Sequence, residues 1–329
     1  MEIVGLFCGG FSSEFHISLE SGKQILANFS LDGHEIYLVT VTRKGWTVDY
    51  KGEVLEVSPV DFSFNSKKEG KKKITLAQVY IHGNPGENGK LQAYFEMKGL
   101  PFVNSSALSS ALSFDKWFCN QFLKNFGIKV ADAVLLEEDS PVDIEAIGKQ
   151  LGYPLFVKPS DSGSSYGISK VYKSEELPKA IEEAFKEGKT VVCESFMDGK
   201  EVTCGVYRNN SGIIPLPCTE IVTSSNFFDY EAKYMGKSQE ITPARISKEL
   251  TERVQSIAKR IYQLLQLSSL ARVDFILIEN EPHVIEVNTT PGFSKESIVP
   301  KMLAAAKISF GNFWREVYTY ELNESKVKR

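Results

Sequence analysis

The chain has few cysteines and histidines and no long apolar run. Its 329 residues include five cysteines and four histidines, and no two cysteines have the CxxC spacing. Their odd number and mostly apolar surroundings predict reduced, buried thiols in a cytosol. No apolar run approaches the roughly 18 residues of a membrane span, and the first residues lack the basic region of a signal peptide. We therefore expect a soluble, cytoplasmic protein without membrane contact.

The chain also lacks an excess of charge of one sign. It has 38 Lys+Arg and 42 Asp+Glu, a net charge of −4, and its basic residues are widely spread. This distribution does not predict a nucleic-acid surface. The densest basic run, residues 67–73, contains Glu69 and is predicted to be a solvated loop. Internal repeats and a GxxxxGK[ST] phosphate loop are absent too. A chain of this length suits two or three domains.

The stretch from Arg272 to Gly292 is predicted to organise the rest of the chain. Residues 272–278 and 284–288 are β-rich runs separated by a polar connection, which is typical of an antiparallel hairpin. Because successive strand side chains point to opposite faces, Arg272 shares a face with Asp274, and Glu286 shares one with Asn288. The other face is predicted to be core and carries Val273, Phe275, Leu277, Ile285 and Val287.

The polar face of this hairpin has a possible chemical use. Two carboxylates and an amide oxygen suit a hard cation such as Mg2+, which shares its coordination shell with phosphates and water. A guanidinium beside them can stabilise charge that develops on a substrate oxygen. Taken alone, the hairpin favours the simpler interpretation, a polar face turned to water.

The pattern of the N-terminal third predicts an α/β unit with a mainly parallel sheet. A strand at 2–8, a glycine turn and a helix from Ser18 form a plausible anion or small-ligand site. Further strands are predicted at 35–42, 46–49 and 77–82, and a helix at 89–98. The turn-rich loop 82–89 follows a strand, where open α/β sheets bind ligands. His82 and Glu87 are therefore candidates for a site wall, although an ordinary turn with a satisfied histidine explains this loop equally well.

The middle of the chain carries lysines next to small residues. Lys116 falls at the start of a helix predicted at 114–125, where the macrodipole disfavours a cation. A surface position would tolerate this placement, and a lysine reserved for phosphate fits it as well. Lys158 precedes the small-residue loop 160–165, which lies between strands at 155–158 and 167–172. Such a loop lets backbone amides approach phosphate oxygens, and we interpret it as a lid; an ordinary hairpin loop is the alternative.

The remaining segments suggest a nucleotide pocket and its cover. A buried strand runs into residues 194–197, whose backbone could contact a purine. The aromatic and charged stretch 224–241 is long for a structureless loop in a compact domain, which favours an active-site cover. The helix at 247–265 is amphipathic, with Ser247 as its cap. The polar tail after about residue 315 is predicted to fray.

Five segments together resemble the ATP-grasp enzymes, and among them the D-alanine–D-alanine ligases of peptidoglycan synthesis. They occur in family order and at family spacing across almost the whole chain, at residues 9–19, 81–92, 156–171, 227–234 and 271–300. The implied fold is an N-terminal mainly parallel α/β domain (1–104), followed by two α+β ATP-grasp subdomains with antiparallel sheets (105–190 and 191–329). The implied localisation is cytoplasmic, and the implied assembly is a homodimer through the N-terminal domain.

The resemblance also implies two sets of ligands for ATP and metal. Asp274, Glu286 and Asn288 match the family's metal ligands, which implies Mg2+ or Mn2+, with two ions. Residues that match contacts to ATP are Lys116, Lys158, Ser164, Glu194, Phe196, Met197, Glu201 and Lys233.

The implied substrate site lies between these sets. Glu14 matches the carboxylate that holds the first D-alanine's ammonium group, and His82 is a wall residue. Ser164 and Tyr234 match partners that link the lid and the cover to Glu14. Arg272 and the Gly292 N–H match the oxyanion site, and Ser297 matches a contact to the second substrate's carboxylate.

The implied reaction is ATP-dependent ligation through a D-alanyl phosphate. Three positions depart from the family pattern: Asn88 replaces a common aspartate, Ser195 a common lysine, and Phe15 a basic residue or histidine. None is a metal or phosphate ligand, whereas Tyr234 favours a dipeptide product. The alternatives are a ligase for another amino acid or hydroxy acid pair and a catalytically silent ATP-binding module. The silent module predicts erosion of the hairpin residues, which are intact.

Overall fold

The chain builds three main sheets that follow one another along the sequence. The computed structural model describes residues 2–161, 163, 167–223 and 238–327. The first sheet is mixed and contains parallel pairs, and the second and third are antiparallel. No helix in these ranges is both long enough and apolar enough to cross a membrane. All five cysteines are free and buried, as predicted.

The N-terminal sheet has the order β4-β3-β2-β1-β7-β8, with β1 parallel to both neighbours. Its first strand is buried along almost its whole length, as expected for a parallel strand covered on both faces. The run 67–73 is not only a loop, because its second half is one strand of a small hairpin. The elements of this part are β1 (Glu2–Gly9), α1 (Phe15–Asn28), β2 (His34–Thr42), β3 (Gly45–Tyr50), β4 (Glu53–Val57), β5 (Ser63–Ser66), β6 (Gly70–Lys73), β7 (Leu76–Val79), α2 (Lys90–Lys98) and β8 (Phe102–Val103).

The central sheet has the order β11-β10-β12-β9 and is antiparallel. The helix predicted at 114–125 is confirmed over Lys116–Asn125, and a further helix that was not predicted, Ala107–Phe114, precedes it. The extended backbone of Asp115 separates the two, and its carboxylate accepts the Phe118 N–H (3.0 Å) to cap the second. The elements are α3 (Ala107–Phe114), α4 (Lys116–Asn125), β9 (Ala133–Glu137), α5 (Ile144–Leu151), β10 (Leu155–Pro159), β11 (Ser169–Val171), a 3-10 turn (Ser174–Glu176), α6 (Leu177–Phe185) and β12 (Thr190–Ser195).

The C-terminal sheet has the order β16-β15-β13-β17-β18, with β14 added to β13. Residues 238–241 of the predicted cover form a strand of this sheet, and residues 224–237 lie outside the described ranges. The elements are β13 (Lys200–Asn209), β14 (Gly212–Pro215), β15 (Thr219–Thr223), β16 (Ser238–Ile241), α7 (Lys248–Leu264), β17 (Leu270–Ile278), β18 (Glu281–Asn288), α8 (Ile298–Ala305) and α9 (Phe310–Val327).

The predicted hairpin is β17–β18, and its register has Arg272 opposite Asn288 and Asp274 opposite Glu286. The prediction for Ile285 was wrong. The register shifts between Asp274 and Phe275, so that Phe275 faces Val284 and Ile285 becomes the extra residue of a bulge. Val284 is therefore buried instead, and Ile285 is only half-buried.

The prediction of a fraying tail was also wrong, because α9 is docked onto the rest of the chain. Its Phe313, Trp314, Val317 and Tyr318 are buried. They belong to one cluster with core residues of the N-terminal and C-terminal sheets. Their i, i+1, i+4, i+5 spacing puts them on one helix face, and the polar residues between them occupy the other. The tail is polar on average, so its composition alone did not indicate this apolar helix face.

The division at residues 104 and 190 stays a prediction. The strand that begins at Thr190 pairs with β10 and β9 of the central sheet, and the first C-terminal strand begins at Lys200.

Candidate active site

The polar face of the β17–β18 hairpin is built around one ion pair. Arg272 donates from Nε to Asp274 Oδ1 (2.7 Å) and from Nη2 to Oδ2 (2.6 Å). The neighbouring strand adds the Thr203 hydroxyl, which also donates to Oδ1 of Asp274. Burial disfavours the charged guanidinium, but the Asp274 carboxylate outweighs this and holds the pKa of Arg272 above its ordinary value. The arginine is thus a permanent cation fixed beside two carboxylates.

The other hairpin residues contact two further segments. Lys116 Nζ lies 3.6 Å from Glu286 Oε2, and the lysine is almost fully buried. Asn288 Oδ1 accepts the Thr290 N–H (2.9 Å), which anchors the segment that follows the hairpin. Lys116 is the first residue of α4, and its N–H donates to the Ser160 carbonyl (2.9 Å) at the base of the predicted lid. The structure therefore brings together Lys116, the start of the lid and the predicted metal ligands.

Lys158 and Glu194, predicted for separate parts of ATP, form a buried ion pair. Lys158 Nζ and Glu194 Oε2 are 2.7 Å apart, and each residue is 5% exposed. Phe156, rather than Lys158, is directly opposite Glu194 in the β10–β12 register, so the pair is diagonal on one sheet face. Taking two charges out of water is costly unless they neutralise each other. The two side chains therefore act as a unit.

An aromatic surface lies where β12 ends, formed by Phe196 just after this strand and Phe156 of β10. The Phe196 and Phe156 rings lie 6.0 Å apart, and Lys170 Nζ stands 3.7 Å from the centroid of Phe196. Met197 and Glu201, also predicted for this pocket, are half-buried. An apolar ring with an adjacent cation suits the face of a flat heterocycle and a nearby phosphate.

Glu14, His82 and Glu87 come together at the carboxyl ends of the N-terminal strands. Glu14 is the N-cap of α1, and a side chain at Gly163 of the lid would stand 2.7 Å from its Oε2. His82 is buried, and its Nε2 lies 3.3 Å from the Ser21 hydroxyl. Burial lowers the pKa of His82, and the negative charge of Glu14 only partly opposes this. The glycine at position 163 thus lets the lid approach the Glu14 carboxylate.

Glu87 is the carboxyl group of this wall whose pKa is shifted most. Its Oε2 accepts the Gly83 N–H (2.6 Å), which closes the 83–87 turn. Burial, and then the nearby charge of Glu14, raises the pKa of Glu87 to about 8. The wall therefore holds one carboxylate beside a second that is largely protonated near neutral pH.

Gly292 and Ser297 lie in the segment between β18 and α8. A side chain at Gly292 would meet the Ser297 hydroxyl at 2.9 Å, so glycine is needed for this close approach. Ser297 is the N-cap of α8, but its hydroxyl does not cap the helix and instead lies 2.8 Å from the Ser294 hydroxyl. A helix start with this geometry leaves N–H groups available for a carboxylate.

The remaining predicted residues have simpler outcomes. Ser164, Lys233 and Tyr234 lie outside the described residues. Asn88 donates to the Asn84 side chain (3.1 Å), and Ser195 accepts the Asp132 N–H (3.2 Å), so both of these side chains make hydrogen bonds within the protein. Phe15 packs against Gly9.

Three contributing residues were not predicted: Thr203, Lys170 and Tyr80. Thr203 contacts Asp274 only because β13 pairs with β17, which brings together residues 71 positions apart in the sequence. Lys170 shares the Phe196 surface because β11 joins the sheet edge. The Tyr80 hydroxyl donates to the Pro291 carbonyl (2.6 Å). Its one signal in the sequence is a polar hydroxyl in an apolar strand end, two residues before His82.

The donor set of the hairpin fits a hard cation. Asp274, Glu286 and Asn288 present only oxygen ligands on one face. Among the described residues no group of three or more His, Cys, Asp or Glu side chains could hold a metal by itself. A cation here therefore needs further oxygens from phosphates and water, as Mg2+ commonly takes them.

The fold and this site define an ATP-grasp ligase. Family models described as the N-terminus and the C-terminus of D-ala D-ala ligase match residues 3–105 and 122–317. The chain therefore belongs to the D-alanine–D-alanine ligase family.

Relatives and solved structures cover the chain from end to end. A D-alanine–D-alanine ligase of Parabacteroides distasonis is 42% identical over 328 residues, covering 99% of each chain. The crystal structure of the VanG D-Ala:D-Ser ligase from Enterococcus faecalis has a TM-score of 0.87 at 33% identity, covering 97% of this chain and 99% of that one. A D-alanine–D-alanine ligase from Bacillus anthracis, solved with ATP, has a TM-score of 0.80 at 28% identity and full coverage of both chains.

Replacing one partner of the buried Lys158–Glu194 pair should destabilise the fold more than replacing both. We expect Lys158→Met to lower the free energy of unfolding by about 3–5 kcal/mol, because Glu194 would stay buried and unpaired. The double variant Lys158→Met/Glu194→Leu should recover most of this loss. Urea titration measures both. The control is Lys124→Met at the exposed Lys124–Asp132 pair (2.9 Å), which should cost at most about 1 kcal/mol. A double variant as unstable as the single one would contradict the ion-pair argument.

Glu87 should make stability depend on pH. Its pKa is about 8 in the folded state against an ordinary value of 4.5. Between these values the folded state holds a proton that the unfolded state releases, so stability falls as pH rises. Glu87→Gln keeps an acceptor for the Gly83 N–H and cannot ionise, so its melting temperature should fall less between pH about 6 and about 8. The exposed Glu20→Gln control should follow the parent chain; identical slopes for all three would exclude this effect.

Proposed function

We propose that this chain joins two D-alanine molecules into D-alanyl-D-alanine at the expense of ATP, for peptidoglycan precursors. The observation that carries the proposal is the polar hairpin face, where Arg272 lies beside Asp274, Glu286 and Asn288. This face has the charges that phosphoryl transfer and acyl transfer both need. Membership of the ligase family supports the same activity.

ATP is proposed to bind between the central and C-terminal sheets. Lys116 and Lys158 supply cations for its phosphates, and Phe196 and Met197 supply the surface for adenine. Glu194 and Glu201 are proposed to contact the adenine and the ribose, with Ser164 and Lys233 on the phosphates. The support is that the Lys116 N–H donates to the Ser160 carbonyl at the base of the lid, close in the chain to Lys158, and that a relative of this fold was solved with ATP.

Mg2+ or Mn2+, as two ions, is proposed to be held by Asp274, Glu286, Asn288 and the nucleotide's phosphates. The metal supplies charge neutralisation for the transferring phosphoryl group. Asp274 already accepts two hydrogen bonds from Arg272. The arginine therefore limits how the aspartate can turn and keeps its oxygens on the site face.

The first half-reaction needs the chain to position a carboxylate. Glu14 is proposed to hold the ammonium group of the first D-alanine, with His82 as a wall, so that its carboxylate attacks the γ-phosphorus of ATP. The P–O bond to ADP breaks, and D-alanyl phosphate forms. Gly163 brings the lid to Glu14, which supports a closed site that excludes water.

The second half-reaction forms the amide bond. The second D-alanine is proposed to place its carboxylate at Ser297 and the start of α8, where helix N–H groups favour an anion. Its neutral amine attacks the acyl carbon, and the tetrahedral oxyanion is stabilised by Arg272 and the Gly292 N–H. Collapse of this intermediate breaks the C–O bond to phosphate, and the departing phosphate takes up the proton that the amine loses. Tyr234, with Ser164, is proposed to link the cover and the lid to Glu14.

We also propose a cytoplasmic homodimer that associates through the N-terminal domain (1–104), with ATP-grasp subdomains at 105–190 and 191–329. The support is one exposed apolar side chain of this domain and one just beyond its boundary: Met97 on α2 is 86% exposed, and Leu108 on the neighbouring helix α3 is 75% exposed.

A substrate panel tests the proposed activity. With ATP and Mg2+, D-alanine alone should release phosphate and yield the dipeptide by mass spectrometry. L-alanine, D-serine, and D-lactate with D-alanine are the comparison substrates. Release only with another pair would replace the proposal by a sister ligase. ATP binding without release for any substrate would leave a silent module.

Glu286 should be needed for metal binding. Glu286→Gln leaves the Arg272–Asp274 pair intact but removes one anionic ligand. We expect binding of Mn2+ in the presence of ADP, followed by electron paramagnetic resonance, to weaken by at least about tenfold, since even outer partners of metal ligands cost that much. Asp132→Asn, at an exposed carboxylate, is the control. Unchanged Mn2+ affinity in Glu286→Gln would remove this residue from the metal site.

A further inference from the structure

The Tyr80 hydroxyl makes a hydrogen bond to the peptide group that carries the Gly292 N–H. Its donor–acceptor distance to the Pro291 carbonyl is 2.6 Å, and the bond is buried. The bond spans 211 residues of sequence, from the end of β7 to the segment after β18. It therefore joins the N-terminal sheet directly to the proposed oxyanion donor.

Other side chains of the N-terminal part hold the same segment. Asn104 Nδ2 lies 3.3 Å from the Thr290 hydroxyl, and the Ser21 hydroxyl accepts the Phe293 N–H (3.2 Å). The Tyr80 ring stands edge-on to the Phe293 and Trp314 rings, with centroids 6.2 and 5.8 Å away. The main chain of Tyr80 is itself fixed, since its N–H donates to the Phe7 carbonyl and its own carbonyl accepts the Ser18 hydroxyl.

A bond to the Pro291 carbonyl acts on the Gly292 N–H because the two belong to one peptide unit. That unit is planar, and in the trans form its C=O and N–H point in opposite directions. A donor on the carbonyl therefore sets the direction of the N–H. It also polarises the amide, since hydrogen bonds in a chain strengthen one another where water is excluded.

We propose that Tyr80 is a positioning residue for the oxyanion donor of the second half-reaction. It touches no reacting atom and acts through the Pro291–Gly292 peptide. The inference rests on the proposed function, specifically on the Gly292 role. It separates the two half-reactions: phosphoryl transfer to the first D-alanine does not use the Gly292 N–H, whereas attack of the second amine does.

The test compares the two half-reactions in Tyr80→Phe, which keeps the ring and removes only the hydroxyl. Rapid-quench single turnovers with ATP, Mg2+ and D-alanine give the rate constants for ADP and for dipeptide. Losing an oxyanion donor outright costs about 100–1,000-fold; misaligning one should cost less, about 10-fold on dipeptide formation. ADP formation should change by less than about twofold, and the ratio of ADP to dipeptide should rise above one as released acyl phosphate is hydrolysed.

The matched control is Tyr262→Phe. It also removes a buried tyrosine hydroxyl from a main-chain carbonyl, that of Ser269 (2.9 Å), but contacts no part of the 290–293 segment through that bond. Its ratio of ADP to dipeptide should stay at one. Ser21→Ala is the second variant: it loosens the segment at Phe293 and should raise the ratio as Tyr80→Phe does.

The outcomes are distinct. If the parent chain makes ADP and dipeptide in equal amounts while both rates stay unchanged, or fall together, in Tyr80→Phe and Ser21→Ala, the positioning role is wrong. If the parent chain makes no dipeptide, the proposed function fails instead. Melting temperatures of all variants show whether each one is folded.

Discussion

The bidentate contact between Arg272 and Asp274 is the interaction on which the site depends. It is possible because both residues lie on one face of β17, and because Asn288 and Glu286 lie opposite them on β18. The β-bulge at Ile285 keeps this polar register while it returns Val284 to the core. Thr203, from the strand on the other side, adds a third donor to the aspartate. A buried carboxylate with these partners is held in one orientation, so its oxygens stay on the face that is proposed to bind the metal and the phosphates.

Other charged side chains of the site are also buried next to a partner of opposite charge. Lys158 and Glu194 neutralise each other inside the central sheet, and Lys116 lies beside Glu286. Glu87 instead keeps its proton to a higher pH, because burial and the nearby Glu14 raise its pKa and no cation fully offsets these two effects. Two lysines are thus buried beside carboxylates in the proposed nucleotide site, whereas Glu87 is buried beside another carboxyl group in the proposed amino-acid site. In such dry surroundings each charge acts more strongly than it would in water.

The parts of the site come from different sheets, and buried contacts between the sheets hold them together. Helix α9 packs its apolar face against residues of both the N-terminal and the C-terminal sheets, and Tyr318 donates to Gln78 (2.7 Å). Tyr80 and Ser21 make hydrogen bonds from the N-terminal part of the chain to the segment after β18. The proposed oxyanion donor thus depends on side chains of a sheet that carries none of the hairpin's own ligands. The residues of the proposed phosphate, amino-acid and oxyanion subsites come from three different parts of the chain.

The order and type of most strands and helices were predictable from the sequence, because hydrophobic periodicity and glycine turns are local signals. The faces of the hairpin followed from the period of two, and so did the pairing of Arg272 with Asp274 on one side. Tertiary structure alone decided the bulge at Ile285, the contact of Thr203 with Asp274, the Lys158–Glu194 pair and the Tyr80 bond to Pro291. It also decided that the polar tail is a docked helix. Each of these depends on which distant strand or helix packs beside the residue. Burial sets the pKa of Glu87 and the stabilising free energy of every ion pair, and residues become buried only after those neighbours have packed.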